Sequence, residues 1–66
     1  MSNLQKMRKA KNMSQSQLAA ASGVPLRMIQ YYEQGARDIN KAGVTTALKL
    51  ADALECNVKE ILNETY

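Results

Sequence analysis

Sixty-six residues with a net charge of +3 fit one domain, residues 1–66, with a modest core. Cys56 is the only cysteine and histidine is absent, which excludes an internal disulfide and leaves no donor set for a structural zinc site. A lone thiol fits a reducing compartment, and no apolar run approaches the roughly 20 residues that span a bilayer. Lys6, Arg8, Lys9 and Lys11 interrupt the stretch where a signal peptide would be apolar, so the expected location is cytoplasmic.

The charge is unevenly placed. Residues 1–41 carry seven Lys or Arg against two acids, a net of +5, while residues 42–66 carry two lysines against four acids, a net of −2. A basic half suits a polyanionic partner. Ala, Leu, Gln, Lys and Met dominate, Phe and Trp are missing, and Gly and Pro are scarce. That composition favours helix over strand throughout.

In chain order, a first helix is expected from Ser2 to Lys11, with Leu4, Met7 and Lys11 on one face. Asn12-Met13-Ser14 breaks the pattern. Ser14 with Gln17 has capping-box spacing and opens a second helix from Gln15 to Ser22, offering Leu18, Ala19 and Ala21 for packing. Gly23 stands where a left-handed residue ends a helix at least cost. Pro25 stands at the first position of a third helix, where its missing N–H is harmless, and Gly35 ends that helix after Gln34. Residues 36–40 read as a polar loop. Asn40 or Thr45 is the expected cap of a fourth helix ending near Leu54, with Val44, Leu48, Ala51 and Leu54 as its stripe. Asn57 and Glu60 repeat the capping-box spacing and predict a fifth helix to Asn63, with Val58, Ile61 and Leu62 on its apolar side.

Two helices joined by a short glycine-containing turn match the helix-turn-helix pattern between Ser14 and Gly35. Where the helices cross, one residue must be small, and Ala19 fills that place. Gly23 permits the sharp turn, and Leu18, Val24, Ile29 and Tyr32 supply the inward apolar groups.

The run SQSQLAAASGVPLRMIQYYEQG resembles the helix-turn-helix of the Cro/repressor (XRE) family of bacterial and phage regulators. NLQKMRKAKNMS resembles that family's first helix, and LKLADALECNVKEIL its fourth helix, connecting turn and fifth helix. The resemblance implies an all-α, compact five-helix bundle around a central helix-turn-helix, the lambda repressor-like DNA-binding domain. Two departures stand out: Glu55 replaces a glycine frequent after the fourth helix, and residues 36–40 replace a loop that often contains proline.

With Val24, Ile29 and Tyr32 inward, Leu26, Arg27, Gln30, Tyr31 and Gln34 fall on the opposite side of the third helix. Arg27 can donate two hydrogen bonds to guanine O6 and N7, Gln30 can pair with adenine, and Leu26 suits a thymine methyl. The resemblance implies base readers at Leu26, Arg27 and Tyr31, with Gln30 close by. Phosphate contacts are expected from Gln15, at the start of the second helix, and from Gln34, Arg37 and Lys41 around the end of the third. Lys6, Lys9 and Lys11 read better as a solvated face. The resemblance also implies a structural pair between Arg8 and Glu33, and an inert, buried thiol at Cys56.

Double-stranded operator DNA is thus the expected partner, with no cofactor, metal or small-molecule ligand indicated. A homodimer is implied by the family and by arithmetic, since one recognition helix reads only a few base pairs. Its expected surface is the fifth helix and C-terminal tail, with Val58, Ile61, Leu62 and Tyr66, residues that equally suit closing the core. A second reading is a protein-interaction module, such as an antitoxin or accessory subunit, using Leu26, Met28, Tyr31 and Tyr32. Enzyme chemistry finds no support, because no nucleophile and base can be paired.

Overall fold

A computed structural model describes residues 2–63. Four α-helices follow in order: α1 (Asn3–Ala10), α2 (Gln15–Ser22), α3 (Leu26–Gln34) and α4 (Val44–Ala53). Two single 3-10 turns, Ile39–Lys41 and Val58–Glu60, precede and follow α4, and no strand occurs among the described residues. None of the described helices is long and apolar enough to cross a membrane. The all-α expectation therefore stands, while the five-helix count becomes four.

The first two helices follow their local signals, while the third starts one residue later than expected, with Pro25 at its N-cap and Leu26 as its first residue. Ser2 caps α1 by accepting the Gln5 N–H. α1 turns Leu4 and the stem of Arg8 inward, Met7 packs at the edge, and Lys11 remains exposed. α2 packs on both α3 and α4, and α1 lies on α3 and on the C-terminal turn. Leu4, Leu18, Ile29, Leu50, Leu54 and Ile61 are fully buried where these elements meet. Ala21 is exposed, so α2 packs with Leu18 and Ala19 alone. In a close-packed core the loss of even one methylene is felt.

The chain departs from expectation after Gly35. Ile39, within the expected polar loop, is buried and anchors the connection to the core. Neither Asn40 nor Thr45 caps α4; Gly43 holds the cap position in an extended conformation with no side-chain hydrogen bond. The Asn40 amide is occupied elsewhere, donating to the Asn63 carbonyl at 2.7 Å and accepting the Asn63 N–H at 2.8 Å. α4 turns the stripe Ala47, Leu50, Ala51 and Leu54 inward. Leu48 is left on the outer edge at 47% exposure, and Val44, in the first turn, is 76% exposed.

The predicted fifth helix is a single turn for a related reason. Its capping box forms as spaced, with Glu60 accepting the Asn57 N–H at 2.8 Å. Ile61 is then fully buried, and the carbonyls of Leu62 and Asn63 are taken by the side chains of Asn3 and Asn40. Those carbonyls already have tertiary partners, which a continuing helix would otherwise have to supply. Ile61 therefore closes the core and presents no surface to a second copy; Val58 and Leu62 are half-buried, and Tyr66 lies outside the described residues.

Candidate nucleic-acid interface

The unit that presents α3 is fixed at both of its turns. The Ser14 side chain accepts the Gln17 N–H at 3.0 Å while the Gln17 side chain accepts the Ser14 N–H at 2.7 Å, closing the capping box. Gly23 ends α2 in the left-handed conformation, with φ +76, and its N–H returns to the Ala19 carbonyl. Val24 then plugs the corner, buried, and Pro25 leads into α3 from an extended conformation. Gly35 repeats the left-handed ending at φ +81.

Beneath this unit lies a buried ionic network. Arg8 Nε and Nη2 donate to the two oxygens of Glu33 at 2.7 and 3.0 Å, a two-bond fork that ties α1 to α3. Arg8 Nη1 donates to the Met13 carbonyl at 2.8 Å, which fixes the link between α1 and α2. Gln15 Nε2 adds a third bond to Glu33, at 3.0 Å. Glu33 is only 3% exposed in its side chain, so every one of these bonds counts against desolvation. Hydrogen bonding to Glu33 holds the Arg8 guanidinium above its ordinary pKa, against the opposing effect of burial.

The outward residues divide by exposure. Leu26 is 37% exposed, a large apolar side chain in water, and Arg27 beside it is exposed. Gln30 and Tyr31 are half-buried and continue the same face, while Gln34 is exposed at its end. Arg37 and Lys41 are exposed and, with Tyr32, Asp38 and Ala42, line a shallow cavity of about 230 Å³ beyond α3. Gln15 differs from the rest, because its amide already serves Glu33; what it keeps is a backbone N–H in the first turn of α2, unpaired within the helix. Lys6, Lys9 and Lys11 are exposed, as a solvated face would be.

The arrangement gathers four cationic or polar donors (Arg27, Gln30, Tyr31 and Gln34) and one apolar group on one helix, with two more cations beyond its end. Chemically it can donate hydrogen bonds to base edges and neutralise phosphates. Two features escaped the residue pattern: the Met13 and Gln15 partners of the ion pair, and the position of both Arg27 and Arg37 over the Tyr31 ring, at 6.0 and 5.7 Å from its centre. The four-residue spacing of Arg27 and Tyr31 on one helix could have revealed half of the second. Cys56 is half-buried, and its thiol is pushed up first by burial and then by the charge of Glu60, partly offset by Lys11.

Neither a curated protein nor a solved structure matches the chain. A helix-turn-helix family model matches residues 4–61, which takes in all four helices and the C-terminal turn. The chain therefore belongs to the Cro/XRE-type helix-turn-helix family of DNA-binding regulators.

Proposed function

We propose that the chain is a sequence-specific transcriptional repressor that reads the major groove with α3 and binds its operator as a homodimer. The observation that carries this reading is the side-by-side exposure of Leu26 and Arg27 at the start of α3, on a unit whose Leu18, Val24, Ile29 and Tyr32 are buried. Arg27 reads guanine, Leu26 meets a thymine methyl, and Gln30 and Tyr31 extend the readout. Arg37 and Lys41 neutralise phosphates on the flanking strand, Gln34 donates a hydrogen bond to the backbone, and Gln15 offers its backbone N–H to another phosphate. Val58 and Leu62 retain part of their surface for the second copy.

A mobility-shift assay against genomic fragments at two salt concentrations tests the proposal. Preference for particular fragments over competitor DNA is expected, with affinity falling steeply as salt rises from 50 to 200 mM. A complex insensitive to salt, or none at all, would contradict it. The protein-interaction reading is weakened by the burial of one of its four residues, Tyr32. Sedimentation across a concentration range reports the dimer independently of DNA.

A further inference from the structure

Two guanidinium groups share one aromatic ring at the end of the presented face. Arg27 reaches the ring of Tyr31 from one turn earlier in α3, its Cζ lying 6.0 Å from the ring centre. Arg37 reaches the same ring from beyond the helix, at 5.7 Å. Its route is set by the backbone: Gly35 reverses the chain at φ +81, and the N–H groups of Ala36 and Arg37 both donate to the Tyr31 carbonyl, at 2.9 and 3.3 Å. Tyr31 thus holds Arg37 twice, by its main chain and by its ring.

Long cationic side chains on a surface are otherwise free, and ordering them on a ligand carries an entropic cost for each. An aromatic face within about 6 Å attracts a guanidinium and narrows its range without consuming its N–H donors, which remain at the edge of the stack. Tyr31 is half-buried, so its ring is steadied by the body of the domain while both arginines stay exposed.

We infer that Tyr31 is a positioning residue: its ring sets Arg27 and Arg37 together, so that base reading and phosphate contact are engaged as one unit. The role rests on the DNA-reading proposal above, but the stack itself exists in the free protein. The positioning rests on the ring, and the hydroxyl stays available for a base contact.

Tyr31→Phe and Tyr31→Leu separate the two. In the free protein, NMR of the arginine side chains should show the δ-methylene protons of Arg27 and Arg37 shifted upfield by the ring, retained in Tyr31→Phe and lost in Tyr31→Leu. On a selected DNA site, Tyr31→Leu should weaken binding roughly tenfold more than Tyr31→Phe does, the scale of ordering two side chains. The penalties of Arg27→Ala and Arg37→Ala should be non-additive in the parent and additive in Tyr31→Leu. Thermal denaturation confirms that each variant is folded. Loss of binding in Tyr31→Phe equal to that in Tyr31→Leu would overturn the inference in favour of a hydroxyl contact. Absence of the upfield shifts would overturn the stack whatever the DNA result. Shifts present in a protein that prefers no DNA sequence would instead overturn the DNA reading, and the positioning role with it.

Discussion

The segment from Ser14 to Gly35 and the segment from Ala36 to Asn63 are held by different kinds of interaction. In the first, side chains satisfy the backbone close to home: a capping box three residues wide, and glycine at both left-handed helix ends. In the second, α4 has no side-chain cap, and Glu55 occupies a left-handed position at φ +54 without being glycine. Beside local caps at Asp38 and Asn57, its order comes from far along the chain, through Asn3 to Leu62 and Asn40 to Asn63. Local rules set the ends of the presenting unit's helices, while the second segment is shaped by what it closes.

The largest effect should come from the network beneath the first segment. Arg8→Ala leaves Glu33 buried without its ion partner and the Met13 carbonyl without a donor, and should cost about 3–5 kcal/mol in urea denaturation. Replacing Arg8 and Glu33 together with Met should cost much less than the sum of the two single changes. A mild loss in Arg8→Ala would place the network in solvent and break the contrast.

The left-handed positions sharpen it with opposite signs. Gly23→Ala meets no atom within 4 Å, so its penalty of about 1–2 kcal/mol is purely one of backbone conformation. Glu55→Gly relieves the same kind of strain, and after the entropy of glycine is counted it should stabilise by up to about 1 kcal/mol. Thermal melts that shift both variants in one direction would contradict this.

A smaller gain is expected at the uncapped helix. Gly43 has negative φ and open space around a built Cβ, so Gly43→Ser can add the missing cap and should stabilise α4 by about 0.5 kcal/mol. No gain in denaturation midpoint would mean that α4 does not need the cap.

The smallest effect concerns pH. The Cys56 thiol is held above its ordinary value in the folded chain, so the folded state keeps its proton longer than the unfolded state does. The resulting stability is fully present below the unfolded thiol value of about 8.5 and is lost as pH rises above it. Cys56→Ser should flatten that alkaline decline, and alkylation of the native thiol at neutral pH should be slower than that of a free cysteine.

The same contrast governs what could be read from the residues alone. Ser14, Gln17, Gly23 and Gly35 carry their structural reasons within a few positions, so both ends of α2 and the end of α3 were legible. Ile39 and Asn40 were not, because a buried anchor inside a polar stretch and an amide serving a carbonyl 23 residues away leave no local periodicity. α4 was misphased for the same reason: Val44 and Leu48 match an apolar stripe, and only packing against α2 selects Ala47 and Leu50 instead. At the interface, the outward set on α3 followed from the inward one. The engagement of Gln15 by Glu33 depends on a tertiary contact and could not be seen.

Selection of bound sequences from a randomised duplex pool, run in parallel with the parent protein and Arg27→Ala, tests the central claim most directly. The parent should recover a two-fold symmetric site with half-sites about 34 Å apart. Arg27→Ala should lose preference at one position in each half-site and bind about 1–3 kcal/mol more weakly. No enriched sequence with the parent, or an equal loss on every sequence with Arg27→Ala, would contradict base reading by α3.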